Sequence, residues 1–293
     1  MRSIKITLFL QELTTFLLAE VLAIYAAFRF LQVEEITIIK VAEPIPSAIK
    51  QEVWQFLVAI LVMAVVIIIF LKLFKKSVFL FKLFFYLAIF VGCQSFFSIV
   101  FDMGELSYFL AFIIILTRIF IARVWLHNLM IILGMAGISV VVGLSIPWQA
   151  IILILLFMSI YDVIAVYGTK HMVWMFKELV ERGVYFAFVF PQKVSDLKLS
   201  LKQVELPPLP KKGEPTPVKR RFMFLGTGDI ALPSIFAVSV LPMGMKFSIL
   251  VALGSLVGLF YIYLSLLRKP TPKPALPPIV LFSILFFLLG FLF

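Results

Sequence analysis

The stretch Gln149–Tyr167, QAIILILLFMSIYDVIAVY, is long and apolar enough to cross a membrane, yet it carries an aspartate at position 162. A second apolar run, Phe222–Leu241, carries Asp229 within Gly226-Thr227-Gly228-Asp229. An aspartate at the centre of a spanning helix costs roughly 2.5 to 3.5 kcal/mol on insertion scales. Two such residues predict that these carboxylates serve chemistry or transport.

The whole chain has the composition of a polytopic membrane protein. Of its 293 residues, 63% are hydrophobic and 14% are charged, whereas soluble domains contain about 25% charged residues. The net charge of +11 is what basic cytoplasmic loops produce, so we expect no nucleic-acid partner. A single cysteine, Cys93, excludes an internal disulfide and a cysteine zinc site.

Apolar runs of about 20 residues predict an all-α fold of nine transmembrane helices in the lipid bilayer. A long loop, 169–221, follows the sixth predicted helix and divides the chain into a six-helix part, 1–168, and a three-helix part, 222–293. The predicted spans are 5–30, 53–74, 78–101, 106–126, 128–146, 149–168, 222–241, 246–267 and 275–293.

The loop 169–221 has two predicted parts. Residues 172–182, MVWMFKELVER, alternate apolar and charged positions at helical spacing and predict a short interfacial helix. Residues 191–221 are rich in proline and lysine and predict a flexible segment. The basic loops fall on one side if the N-terminus and this loop are cytoplasmic, which makes the C-terminus of this multi-pass cell-membrane protein extracytoplasmic.

The depths of the two aspartates agree with each other in this orientation. Asp162 lies about 6–9 Å from the cytoplasmic end of its predicted helix, and Asp229 lies about 10 Å from the same face. Gly226 and Gly228 let another backbone approach closely, and Pro233 lacks the N–H that would bond the carbonyl of Asp229. The seventh helix should therefore kink or loosen at Asp229.

Two carboxylates at one level suggest a coupled pair. At about 4 Å and an effective dielectric constant of about 20, their repulsion is about 4 kcal/mol, so the pair would share one proton. The ionised partner then takes a proton from water while the protonated one polarises a scissile carbonyl, as in aspartic proteases. This chemistry needs no metal and no other cofactor.

Three motifs resemble those of the intramembrane aspartyl proteases, the presenilin and signal peptide peptidase family. That family carries YD in its sixth helix, GxGD in its seventh and PAL at the start of its ninth. This chain has, in that order, Tyr161-Asp162, Gly226-Thr227-Gly228-Asp229 and Pro274-Ala275-Leu276.

The resemblance implies that Asp162 and Asp229 are the catalytic pair, and that an irregular segment at the PAL motif helps to hold an extended substrate. Tyr161 is expected either to hydrogen-bond at the site or to pack beside it. The supporting positions are Tyr161, Gly226, Gly228, Pro274, Ala275 and Leu276.

The short chain is most similar to archaeal presenilin homologues. The resemblance implies that its partners are transmembrane-helix substrates and that it needs no obligatory accessory subunits, while the oligomeric state is not predicted. Two alternatives remain: an ion or proton pathway that uses the same carboxylates, and a prepilin-type GxGD peptidase. The first lacks the support of an internal repeat, and the YD and PAL motifs argue against the second.

Other polar residues in the apolar runs are expected to be structural. Glu12 and Glu20 share one face of the first helix, and pairing with a basic residue is expected for them. The alternative is that one of them tunes the site, since Glu12 lies about 12 Å from the inner face, close to the depth of the aspartates. Arg118 should snorkel or pair with such a glutamate. His127 and His171 are placed in loops as interfacial residues.

Overall fold

The fold is mostly helical. The computed structural model describes residues 2–33, 78–168, 185–204, 222–268 and 273–292, with Val180 and Gly183. Eight α-helices lie in these described residues. They are α1 (Arg2–Val33), α2 (Val78–Phe101), α3 (Leu106–Phe120), α4 (Val124–Ser145), α5 (Trp148–Val163), α6 (Thr227–Ser239), α7 (Met245–Arg268) and α8 (Leu276–Leu289).

Several of these helices can span a membrane. Helices α1, α2, α4, α7 and α5 with its following turn are long and apolar enough to cross, whereas α3, α6 and α8 are shorter apolar helices. The predicted count of nine helices is not confirmed, and the second predicted span, 53–74, lies outside the described residues.

The seventh predicted span, 222–241, is wrong at its beginning. Phe222–Gly226 forms a strand, β2, which pairs in an antiparallel manner with strand β1, Ala187–Pro191. Both strands are rich in phenylalanine, which strands favour, and neither is long enough to signal itself by periodicity. The fold therefore contains a two-stranded sheet, and α6 begins only at Thr227.

The boundary between α3 and α4 also differs from the prediction. The helices separate at 121–123, because this segment pairs with the chain near Ser200: the N–H of Leu201 donates to Ala122 O at 2.7 Å, and the N–H of Val124 donates to Leu199 O at 3.1 Å. His127 consequently lies in the first turn of α4 and not in a loop.

Residues 191–204 carry two short 3₁₀-helical turns, where the composition predicted flexible chain over 191–221. Apolar side chains in this part of the loop pack against the sheet and the start of α4, which gives the segment a small core. The remaining residues, 205–221, and most of the predicted interfacial helix, 172–182, lie outside the described residues. The buried residues of the cluster are Val124, Val180, Tyr185, Val189, Leu201, Val204 and Phe222.

Helix α4 is the centre of the bundle. Its apolar stretch is 61% buried, against 28% for that of α2. Glycines allow close crossings: the backbones of Gly137 and Gly92 of α2 are in contact, and a Cβ built on Gly143 would lie 2.8 Å from the carbonyl oxygen of Ile235 in α6. Helix α4 therefore packs directly on the helix that carries Asp229.

Candidate active site

Asp162 lies at the end of α5 and is buried, with 7% of its surface exposed. A π-helical turn, Ile164–Gly168, follows it, and such turns are frequent at functional sites. The Oδ2 atom of Asp162 accepts a hydrogen bond from the N–H of Leu276 at 3.2 Å, and the N–H of Ala275 also donates to this carboxylate. Asp162 is thus held by the N-terminus of α8, a distant part of the chain.

In the PAL motif, Pro274 and Ala275 lie directly before α8, and Leu276 is the first residue of that helix. Pro274 and Leu276 are buried, and Ala275 is half-buried. Pro277 and Pro278 follow inside the first turn of the helix, where a missing N–H breaks no intrahelical hydrogen bond. The two N–H groups that point at Asp162 are therefore donors that the helix itself cannot satisfy.

Asp229 is the third residue of α6, whose N-cap is Gly226. The backbone N–H of Gly226 donates to the Asp229 carboxylate. In a capping box, the side chain of the third helical residue accepts the same bond from the N-cap N–H. A Cβ on Gly226 would lie 3.1 Å from Oδ2 of Asp229. The predicted depth inside a continuous helix is replaced by a place in the first turn, where the helix dipole favours a negative charge by about 0.3–1 kcal/mol or more.

A strand-to-helix junction precedes Asp229, in place of the kink or loosening that was predicted within a continuous helix. Gly228 is exposed, and a Cβ built on it would meet no described atom within 4 Å. The hydroxyl of Thr227 donates to Phe186 O at 3.3 Å, which ties the junction to the beginning of β1. Pro233 lies inside α6, one turn after Asp229.

The carboxyl groups of the site act on one another. Asp162 and Glu12 are both near enough to Asp229 for like-charge repulsion to operate. Glu12 is buried, with 4% of its surface exposed. Glu20 accepts a hydrogen bond from the hydroxyl of Ser255 at 2.6 Å. The structure therefore brings Glu12 to Asp229 and Glu20 to a serine, in place of the basic partner that the sequence analysis expected.

Arg118 and His127 form a buried pair that the sequence analysis did not predict. Arg118 Nε donates to Nδ1 of His127 at 3.3 Å, and Nε2 of His127 lies 3.0 Å from Ala187 O in β1. Arg118 also influences Tyr185 near the sheet: burial raises the pKa of Tyr185, and the charge of Arg118 opposes this rise. The described partner of Arg118 is therefore a histidine and not the predicted glutamate.

Asn128, the next residue of α4, was missed altogether. Its Nδ2 donates to Val189 O at 2.9 Å, and its Oδ1 accepts from the N–H of Val189 at 3.0 Å. The sequence around Asn128 gives no sign of this role, because its partner, Val189, lies 61 residues further along the chain. Tyr161, which the sequence analysis placed at the site, has 53% of its surface exposed.

The described residues offer no metal centre. Among them, no group of three or more His, Cys, Asp or Glu side chains is arranged to hold a metal ion. The chemical groups at the site are carboxyls and backbone N–H groups, a set suited to acid–base chemistry.

Comparisons with known proteins identify the family of the chain. A sequence model described as signal-peptide peptidase, presenilin aspartyl protease matches residues 13–293. No curated protein matches the sequence.

Two solved structures, each described as a presenilin family intramembrane aspartate protease, have the same fold at 19% sequence identity. The one in space group C222 has a TM-score of 0.62 and covers 97% of this chain and 98% of its own. The one in space group P2 has a TM-score of 0.56, with coverages of 94% and 96%. With the sequence match over almost its whole length, the chain belongs to the signal-peptide peptidase and presenilin family of multi-pass intramembrane aspartyl proteases.

Proposed function

We propose that this chain hydrolyses peptide bonds within the transmembrane segments of other membrane proteins, with Asp162 and Asp229 as the catalytic pair. The observation that supports the proposal is that two carboxyls from separate helices lie within electrostatic reach of each other. Asp162 faces the N-terminus of α8, and Asp229 lies in the first turn of α6. Membership of a family of aspartyl proteases makes hydrolysis the chemistry to assign to that pair.

In the proposed reaction, the pair shares one proton. The ionised carboxyl takes a proton from water, whose oxygen attacks the scissile carbonyl carbon, while the protonated carboxyl donates a hydrogen bond to the carbonyl oxygen. The protonated carboxyl then passes its proton to that oxygen, which gives a neutral tetrahedral gem-diol. When the gem-diol collapses, the C–N bond breaks, the carboxyl that took the water proton gives it to the departing amine, and the other carboxyl takes a proton back from a gem-diol hydroxyl. The N–H groups of Ala275 and Leu276 hold the Asp162 carboxyl in one orientation during these steps.

The residues around the pair would position an extended substrate. Pro274, Ala275 and Leu276 are non-helical or just entering a helix beside Asp162, so an extended segment could lie along them. Gly228 is exposed and leaves room for a substrate backbone next to Asp229. We assign Gly226 to orienting Asp229, and Tyr161 to a supporting role next to Asp162.

The proposed topology places the N-terminus and the loop 169–221 in the cytoplasm and the C-terminus outside. The support is the concentration of basic residues in the loops of one side. Under this topology the pair lies near the cytoplasmic face, from which water can reach it. We propose that the chain acts on transmembrane substrates without obligatory accessory subunits.

The test is proteolysis by the purified chain in liposomes that contain a single-span model substrate. We expect Asp162→Ala and Asp229→Ala each to lower the cleavage rate at least about 10³-fold, because either loss removes an acid or a base from the pair. Asp102→Asn, in the turn between α2 and α3, is the matched control and should cleave normally. Full activity in either alanine variant would reject the assignment of the pair.

A further inference from the structure

We infer that His127 and Asn128, at the start of α4, are positioning residues for Asp229, acting through the two-stranded sheet. The inference rests on the proposed role of Asp229 in catalysis. Neither residue is hydrogen-bonded to the carboxyl pair, and the side chains of both hydrogen-bond to the backbone of β1.

Asn128 takes the place of a neighbouring strand. Its amide donates to Val189 O and accepts from the N–H of the same residue, at 2.9 and 3.0 Å, which is the pair of bonds that an adjacent strand would make. Because the N–H and the C=O of Val189 both bond to one side chain of α4, Val189 cannot shift along that helix. The register of β1 against α4 is therefore set at Val189.

His127 adds a third bond, in a defined tautomer. A backbone carbonyl only accepts and an arginine only donates, so Nε2 of His127 carries the hydrogen that reaches Ala187 O, and Nδ1 takes the bond from Arg118. The ring is completely buried, which leaves it little freedom to turn. We call these three bonds to β1, one from His127 and two from Asn128, the α4 clamp.

The clamp is two contacts away from Asp229. Ala187 in β1 is the register partner of Gly226 in β2, and the N–H of Gly226 holds the Asp229 carboxylate. The far part of α6 is also set by α4, since Gly143 lies against the carbonyl of Ile235. Helix α4 thus fixes the segment that carries Asp229 at both ends, and the clamp is the end nearer to the chemistry.

Loss of the clamp should misplace the Asp229 carboxyl and leave in place the PAL segment, Pro274–Leu276, which makes none of the three clamp bonds. Displacement of a reacting group by about 1 Å can cost about 10²-fold in rate. We therefore expect Asn128→Leu, which is similar in size but makes no hydrogen bond, to lower kcat roughly 10- to 100-fold and to change KM by less than about 2-fold.

A conservative variant of His127 separates the loss of its hydrogen bond to β1 from the loss of its side-chain volume. His127→Gln puts an amide N–H near the position of Nε2 and should keep most of the wild-type kcat, whereas His127→Leu should lose it as Asn128→Leu does. Ser248→Ala is the matched control, because it removes a buried hydrogen bond of 2.7 Å from α7 to Ala237 O at the other end of α6. It should lower the melting temperature and leave kcat unchanged.

A distance measurement gives a second readout that does not depend on activity. In a Cys93→Ala background, spin labels at Leu129→Cys, on the exposed side of α4, and at Gly228→Cys would report the separation of α4 and the start of α6. Asn128→Leu should shift or broaden this distribution relative to the same labelled chain with Asn128 intact.

The outcomes separate the two claims. An unchanged distance distribution, or a kcat loss no greater than in Ser248→Ala, would overturn the inference. If Asp229→Ala cleaved normally while the label distance still moved in Asn128→Leu, the proposed catalytic pair would be wrong and the clamp would stand as a structural device only. If the leucine variants do not fold, the test rests on His127→Gln. The inference would be rejected if His127→Gln folded and kept the wild-type label distance but had a kcat as low as that of Asp229→Ala.

Discussion

Asp162 and Asp229 look alike in the sequence, but they are accommodated in different ways. Asp162 ends one helix and is held by backbone N–H groups at the start of another, α8, far along the chain. Asp229 begins its own helix and is held by the N–H of Gly226, three residues before it. One carboxyl depends on a tertiary contact, and the other depends mainly on its local backbone.

The cost of an intramembrane aspartate thus depends on its place along a helix. In both cases the carboxyl meets N–H groups that no intrahelical carbonyl can satisfy, at the positive end of a helix dipole. The estimate for an aspartate at the centre of a spanning helix therefore overstates the cost here. Substitutions that remove one set of donors should affect one carboxyl and leave the other intact.

The largest expected effect comes from the donors to Asp162. Leu276→Pro removes the N–H that bonds Oδ2 and also disfavours the αR backbone of Ala275, the other donor to this carboxyl. We expect kcat to fall about 100-fold, because the carboxyl loses its fixed orientation. Leu276→Ala keeps the N–H and is the matched control for the lost side chain. If the two variants had the same kcat in the liposome assay, the N–H would have no part in catalysis.

A smaller effect is expected at the glycine before Asp229. The Cβ of Gly226→Ala would lie 3.1 Å from Oδ2, so the carboxyl must move by a few tenths of an ångström. We expect kcat to fall about 10-fold with little change in KM. Gly228→Ala meets no described atom and should instead raise KM, since its methyl group would occupy room for the substrate. Identical kinetic changes in the two variants would contradict this division.

The smallest effect is expected at Glu12, which neighbours Asp229. Glu12→Gln removes a third carboxyl from that side of the pair, and we expect kcat to change by less than about 5-fold, because Glu12 contributes only through its charge. Glu20→Gln is the matched control on the same helix: it keeps an acceptor for Ser255 and should leave the pH–rate profile unaltered. A profile for Glu12→Gln that superimposes on the wild-type profile would show that Glu12 has no influence on the pair.

The motif residues and most of the helices were predictable because their signals are local. Apolar runs of membrane length, glycine next to aspartate and proline before a helix can each be read without knowing their neighbours in space. Family membership, seen over residues 13–293, shows a protease of this family and so favours this function over the ion-pathway and prepilin-type alternatives.

The sheet and the α4 clamp were not predictable for the same reason. Strands of five residues carry little periodic signal, and β2 was absorbed into an apolar run that looked helical. His127 was expected in a loop because its helix begins earlier than the pattern suggested, and the start of that helix is set by pairing with the chain near Ser200.

Composition, apolar runs and three short motifs thus determined by themselves that this chain is a polytopic membrane protein with two exceptional aspartates. Only the tertiary structure decided which backbone groups stabilise those aspartates and which helix ends face them. It also decided that strand β1 is held by α4. The physical reason is that hydrophobicity acts residue by residue along the chain, whereas donors for a buried carboxylate come from backbone groups whose direction is set by packing.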